Sequence, residues 1–255
     1  MVDRTTLARV NLFAVLRALE ELPAYDVESR QIAAMRCEVV RFIVGGVGSA
    51  RLEICDGKIR FLPGGGRATI VLWFPNAERL NAMFAGTGGP IPLKGFTKLS
   101  WLTGPFTMLT ERLSLYLKPT PELLADPAFR VANSTLSLHV AAYAISEVGN
   151  SDAEGRLNAS RMADGGILVA AERGPALTVE AEGGRLTTVT GASPKVRARM
   201  VFSGIDEAGA MLRGELSPYA AIGAGKLALG GYTPLIDHMN KVLGLVGRYL
   251  GGGAS

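Results

Sequence analysis

The sequence is short of the residues on which most enzyme chemistry depends. It has two histidines, His139 and His238, and two cysteines, Cys37 and Cys55, among 255 residues. Each histidine stands alone in a helix-like stretch without a ligand-type residue at i+3 or i+4, so neither has the partners of a metal site or an acid–base pair. Asp237 adjoins His238, but adjacent positions on a helix point in different directions. No C-x-x-C, H-E-x-x-H, P-loop or G-x-S-x-G pattern occurs, which removes the zinc-protease, phosphate-loop and serine-elbow readings. Two scattered cysteines cannot form a disulfide framework, and the expectation is a reduced, cytoplasmic setting with both as small buried hydrophobes.

Charge runs are also missing. Lys and Arg number 27 against 23 Asp and Glu, a net charge of +4, but they are scattered. No basic stripe interleaves with aromatics, so nucleic acid is not an expected partner. Transient contact with an anionic membrane surface is the partner that the excess charge allows. Arg17, Glu20 and Glu21 interrupt the N-terminal apolar run, which reads as an amphipathic helix and not as a signal peptide or a span. The Gly45-Gly46-Val47-Gly48 run lacks the strand-before, helix-after setting of a dinucleotide fingerprint and reads as a loop.

What is abundant is apolar surface. Hydrophobic residues make up 48% of the chain and charged ones 20%, a balance more apolar than that of an ordinary soluble domain. Helical spacing predicts helices over Thr6 to Leu22 and Val27 to Val44, the second carrying Cys37. Short strands follow at Ala50 to Cys55, Lys58 to Leu62 and Arg67 to Phe74, with Asp56-Gly57 as a two-residue hairpin turn, so an antiparallel meander is expected. After a helix ending near Phe84, Gly86 to Pro92 reads as loop, Thr97 to Leu102 as a short strand or turn, and Phe106 to Leu117 as a helix. Lys118-Pro119-Thr120-Pro121 resists helix and central strand alike and predicts a joint between lobes 1–120 and 121–250, with residues 251–255 as a disordered tail.

In the second lobe Ser134 to Val148 reads as a helix. Strands are expected at Gly155 to Ala159, Gly166 to Glu172, Ala176 to Glu182, Arg185 to Thr190 and Val196 to Phe202, with a closing helix over Pro234 to Leu250. Shifting the chain by 128 positions sets Gly86 under Gly214, Pro90 under Pro218, Gly95 under Gly223 and Lys98-Leu99 under Lys226-Leu227. A period above about 100 residues is that of a duplicated domain and not of a solenoid.

Gly214, Pro218, Gly225, Lys226, Leu227, Leu229 and Gly230 form a G-x-x-x-P step followed by a G-K-apolar-x-apolar-G strand. With the alternating strand Val196 to Phe202 and the Ser203-Gly204-Ile205-Asp206-Glu207 passage, this order resembles the C-terminal half of the sterol carrier protein type 2 family over roughly residues 135 to 250. The resemblance implies an α+β fold in which each of two lobes is an antiparallel sheet covered by helices around an apolar cavity for a lipid. The first lobe departs more from the pattern, with Thr97 where a Gly precedes the Lys.

The candidate ligand-binding walls are the aromatic and Met-rich clusters around the two repeat windows. In the second lobe these are Phe202, Met211, Leu212, Tyr219, Ile222, Leu229, Leu235, Ile236 and Met239. In the first they are Trp73, Phe84, Phe96, Trp101 and Phe106. Soft, adaptable side chains of this kind suit an acyl chain or sterol, which needs shape and no catalytic group. The expected function is thus non-enzymatic lipid binding or transport without metal or cofactor. The competing expectation is a ligand-free interaction or assembly module. An enzyme acting on an acyl or isoprenoid substrate ranks third, and a buried carboxylate in the cavity would revive it.

Overall fold

The computed structural model describes residues 2–251. Gly251 is the last of these, so the rest of the tail expected at 251–255 lies outside the described residues. The chain divides into two units, Met1–Lys118 and Pro119–Ser255.

The first unit opens with α1 (Arg4–Val10), capped where the Asp3 carboxylate accepts the Thr6 N–H at 2.7 Å. The chain stays helical through a π turn, Asn11–Val15, and a 3-10 turn, Leu16–Glu20, into α2 (Leu22–Tyr25). Asp26 then caps α3 (Val27–Met35). The helix expected to run on to Val44 stops here, and β1 (Glu38–Val44) begins. Val39, Val40, Ile43 and Val44 are stiff at χ1 and favour the pleated surface. Val40, Phe42 and Val44 point into the core while the residues between them do not.

β2 (Gly48–Cys55), β3 (Lys58–Pro63), β4 (Ile70–Phe74), α4 (Ala77–Phe84) and β5 (Ile91–Lys94) follow. β5 falls partly in the segment expected to be loop. The stretch Thr97 to Leu102, expected to be strand or turn, lies in a 3-10 turn, Phe96–Lys98, α5 (Leu99–Trp101) and the start of a π turn, Leu102–Phe106, before α6 (Thr107–Leu117).

The second unit contains α7 (Pro121–Ala125), α8 (Pro127–Ser151) and α9 (Ala153–Ala159). α9 occupies the place of an expected strand. Asp152 caps it by accepting the Gly155 N–H at 2.9 Å, and such a cap favours helix by about 1 kcal/mol. Then come β6 (Gly165–Ala171), β7 (Ala176–Glu182), β8 (Arg185–Thr190), β9 (Val196–Phe202), α10 (Ile205–Leu212), α11 (Pro218–Gly223), β10 (Leu227–Gly231) and α12 (Thr233–Leu250).

This is an α+β chain with a five-stranded sheet in each unit. The strand orders are β3-β2-β1-β4-β5 and β10-β9-β6-β7-β8, which is the same order read from the other end. Neither sheet is the wholly antiparallel one expected. β4 returns beside β1 in parallel, and β9 returns beside β6 in parallel, while the remaining neighbours are antiparallel. The short turns made the first three strands of each sheet a meander, but the loop at 64–69 carries the chain on to the free side of β1. There Thr69 N–H donates to the Val39 carbonyl at 2.9 Å.

α10 follows α4 at a spacing of 128 residues at both ends. Each helix is left through a glycine at positive φ, Gly86 at +75° and Gly214 at +77°, a conformation that costs a side-chain-bearing residue about 1 kcal/mol or more. Beyond these glycines the spacing breaks, because α11 intervenes before β10 and nothing equivalent precedes β5. Lys98 and Lys226 are therefore not counterparts in space. Lys98 sits in the 3-10 turn with its ammonium 2.5 Å from the buried Glu38 carboxylate, whereas Lys226 precedes β10 and lies 3.8 Å from Glu207.

Cys37 and Cys55 are joined in a disulfide, with Cα atoms 4.2 Å apart. Cys37 is exposed and Cys55 half-buried, so neither is the buried hydrophobe expected. The register explains the pairing: Glu38 faces Ile54 across β1 and β2, which makes 37 and 55 the next facing pair. Assigning Cys37 to a helix hid this. The bond closes a loop of 18 residues in sequence, for which the chain-entropy account gives about 3 kcal/mol. Chemical denaturation with and without reductant, and of Cys55→Ser, is expected to show a loss of that order; an unchanged midpoint would mean the hairpin is closed without the bond.

Candidate functional site

The second unit is arranged around α8, which is buried on nearly every side from Ala132 to Gly149. A helix covered on nearly every side belongs in a core, and several of its polar groups bond to β8. Ser146 and Thr188 share a hydrogen bond of 2.6 Å, Thr188 also donates to the Ala142 carbonyl at 2.8 Å, and Tyr143 reaches Thr190 at 3.0 Å. The Asn150 amide donates to the Leu186 carbonyl at 2.7 Å and accepts its N–H at 2.9 Å. These bonds pin α8 along β8.

On another flank α10 crosses α8 at Gly209. A Cβ there would come within 1.9 Å of Ser134 Oγ, so only glycine permits the crossing. α12 closes the unit, packed against α8 and α9. Its C-terminal turn is held where Tyr249 Oη donates to Asp152 at 2.6 Å and where Arg248 pairs with Glu154 at 2.8 Å.

Between α8, the sheet, α10 and α12 lies a cavity of about 30 Å³. α8 contributes Leu138, Ala141, Ala142 and Ile145, the sheet Val169, Met200 and Phe202, α10 Met211 and Leu212, and α12 Met239 and Leu243. Every lining residue is apolar. Such a volume is about that of one water in the liquid, and an apolar void stays dry. Ala141 and Ala142 leave the space, and Met200, Met211 and Met239 ring it with unbranched, polarizable side chains that repack easily.

Four of the candidate residues, Phe202, Met211, Leu212 and Met239, meet in this wall. Leu235 and Ile236 are buried on α12 but are not in the lining. Tyr219, Ile222 and Leu229 are not in this lining either: Tyr219 is 89% exposed, and the other two are 43% and 41% exposed. Of the lining residues that were missed, Leu138, Ala141, Ala142 and Ile145 lie on α8, Val169 and Met200 on the sheet and Leu243 on α12, and a helix buried on nearly every side gives no periodic signal for which face borders a void. Val169 and Met200 could have been found as inward positions of alternating strands.

The first-unit candidates are dispersed. Trp101 and Phe106 pack 5.7 Å apart, with Phe42 at 6.2 Å from Phe106. Trp73 pairs with Ile43 on the opposite face of the sheet from the buried Leu72 and Phe74. Phe84 is half-buried at the end of α4, and Phe96 is 61% exposed. No common wall joins these five side chains.

Buried carboxylates occur in the first unit, the cavity in the second. Glu38 pairs with Lys98 and with Arg36 at 2.7 Å and accepts from Thr69 at 2.5 Å. Burial opposes its charge, but these partners outweigh that and hold its pKa below the usual range. Asp26 behaves likewise: burial is outweighed by Arg112 and by the Ser29 hydroxyl and N–H. Both are the bases of ion pairs. Among the described residues one grouping has metal-ligating side chains, Cys37, Cys55 and Asp56 within 4.8 Å of one another, and the disulfide occupies both sulfurs. His139 is buried in α8. His238, half-buried on α12, has an Nδ1 with no hydrogen-bond partner among the described residues.

No protein-family model and no curated protein matches the chain. Among solved structures it is similar to a stereoselective inverting sec-alkylsulfatase, Pisa1, from Pseudomonas sp., at 13% identity and a TM-score of 0.26 over 58% of this chain and 28% of that one. A double mutant of the sec-alkylsulfatase PisA1 gives 12% identity and a TM-score of 0.28 over 57% and 28%. The chain thus spans little more than a quarter of the length of these structures. A likeness this slight says nothing of activity.

The α12 latch carries a pH dependence. Burial raises the Asp152 pKa, but Tyr249, the N–H groups of Gly155 and Glu154, and the Arg248 charge together bring it below the ordinary value. A carboxyl whose folded pKa is depressed stabilises the fold fully above its unfolded value of about 3.9 and loses that contribution as pH falls through the folded value. The protection of α12 amides relative to their intrinsic exchange rates is therefore expected to fall in acid below about pH 4, and Tyr249→Phe to start that loss at higher pH. Identical profiles for wild type and variant would rule out the latch.

Proposed function

We propose that this protein binds and carries an apolar lipid of acyl, sterol or isoprenoid type without chemical conversion, in the second unit, between the sheet and α8, α10 and α12. The observation that carries the reading is the all-apolar lining with three methionines, all of it within the segment that resembles the sterol carrier protein type 2 family. Each methylene buried there is worth about 0.8 kcal/mol, so a medium-length chain needs no polar anchor.

The ligand-free volume of about 30 Å³ is too small for such a chain. Entry requires Met211, Leu212 and Met239 to move aside, which asks α10 and α12 to shift outward from α8. The Met walls and the few polar ties on α12 suit that motion. The reading stays non-enzymatic because the buried carboxylates, Glu38 and Asp26, lie in the first unit, away from the cavity's lining, and are neutralised by cations of that same unit. The near-filled core equally favours the second reading, a ligand-free assembly module, and the test separates the two. Among the described residues no helix is long and apolar enough to cross a membrane. A cytoplasmic setting loses the support of the low cysteine count, since both cysteines are paired and such bonds are rare in a reducing compartment.

Titration with a fluorescent acyl probe is expected to give saturable one-to-one binding. Ala142→Phe, which fills the void, is expected to weaken it about tenfold or more, a change of about 1.4 kcal/mol. Met211→Ala, which enlarges the void, is expected to keep or raise affinity and guards against mistaking a folding defect for a blocked site. No saturable uptake by the wild type, or equal uptake by Ala142→Phe, favours the assembly module.

A further inference from the structure

The segment from Gly214 to Pro234 is unlike an ordinary protein surface. Of its residues only Ala221 and Leu227 are buried, yet its only charged residues are Glu215 and Lys226. Glu215 is already neutralised by Arg213 at 2.8 Å. Tyr219 stands 89% exposed, with Ile222, Leu229 and Tyr232 each more than 40% exposed. The folded core has no use for these side chains, and exposed apolar groups gathered in one segment mark an interaction surface.

The strand that pairs with β10 of this segment, β9, carries two cations on its outer face. Arg199 faces Gly230 of β10 on one side and Leu168 of β6 on the other, so no carboxylate flanks it. It has no ion-pair or hydrogen-bond partner among the described residues. The Arg197 guanidinium lies 4.8 Å from the centre of the Tyr232 ring and donates to the Asp164 carbonyl at 2.7 Å. With Val196, Gly230 and Gly231 the two arginines line an open groove of about 340 Å³, and Gly230, which faces Arg199, puts no side chain over it.

We propose that this region is a docking site for an anionic phospholipid bilayer, with Arg197 and Arg199 taking lipid phosphates in the groove and Tyr219, Ile222 and Tyr232 entering the interfacial layer. Charge complementarity selects the partner. The groove presents cations alone, guanidinium forks match phosphate geometry, and tyrosine rings settle at the level of lipid headgroups. The corresponding segment of the first unit, residues 85–100, has only Lys94 and Lys98 as charged residues and exposes Leu93, Phe96 and Leu99. A segment poor in charge and with exposed apolar side chains thus follows the equivalent helix in both units. The site stands apart from whether the cavity holds a ligand.

Co-sedimentation of the full chain with vesicles tests it, using phosphatidylcholine alone and an equal mixture of phosphatidylcholine and phosphatidylglycerol. Binding is expected to the mixed vesicles and to be about tenfold or more weaker on phosphatidylcholine alone, at about a kcal/mol per basic residue near the surface. The double variant Tyr219→Ser, Arg199→Ala removes side chains without partners in the fold, so it is expected to fold as the wild type does and to lose most of that binding. Equal binding to both vesicle types, undiminished binding by the double variant, or a soluble homodimer that the same substitutions dissociate would overturn the proposal. Vesicle binding without acyl-probe uptake would leave this surface standing and defeat the carrier reading alone.

Discussion

The crossing of α10 over α8 at Gly209 sets the dimensions of the second unit. Without a side chain there, the two backbones approach until Ser134 occupies the place where a Cβ would be. α8 cannot move to relieve the contact, because Ser146, Tyr143 and Asn150 tie it to β8. Met211 and Leu212, one turn or less from the crossing, are therefore held over the small face that Ala141 and Ala142 leave open. The cavity is what remains when a fixed helix, a fixed sheet and a close crossing are covered by α12. That last wall is tied at its C-terminal end through Tyr249 and Arg248, and these side chains lie outside the apolar lining.

Both sheets follow one strand order, yet the units solve the end of the pattern differently. Up to Gly86 and Gly214 the helix lengths and the positive-φ exits coincide. After that point the lysine of the first unit serves the fold, because Lys98 compensates Glu38, a carboxylate buried at the start of β1. Arg36 and the Thr69 hydroxyl share that task, so the buried carboxylate is held by three partners. The second unit has Gly165 and Gly166 at the start of β6, with no carboxylate to compensate, and leaves its loop, α11 and β10 largely in solvent. The first-unit aromatics meanwhile scatter between core, outer sheet face and surface and form no cavity wall.

What the sequence made legible were the elements whose apolar pattern has a single period. β2, β3, β7, β8 and β9 alternate cleanly, and the hairpins among them turn at Asp56-Gly57 or Gly183-Gly184, so their positions could be read. The stretch from Val27 to Val44 carries apolar residues that fit both a helical and a strand period, and the break at Arg36 has no glycine or proline to announce it. The disulfide was lost with it, since facing positions in a hairpin can be named only once both strands are known. For the cavity, Phe202, Met211, Leu212 and Met239 were legible as large, soft residues near the turn glycines. Leu138, Ala141, Ala142 and Ile145 were not, because a helix buried on nearly every side does not reveal which face meets a void. Tyr219, Ile222 and Leu229 are apolar residues around the same turn glycines, in the segment of family resemblance, and nothing in that pattern distinguishes wall from surface; their exposure makes them evidence for a surface instead.

Native mass spectrometry of the protein as purified, followed by solvent extraction and identification of what is released, tests the central claim most directly. The account predicts an adduct of lipid mass at one per chain, removed by extraction and assigned to the second unit by loss of the adduct in Ala142→Phe. A clean apo mass from protein that also takes up no acyl or sterol probe would contradict it and leave a packed core whose function lies on its surface.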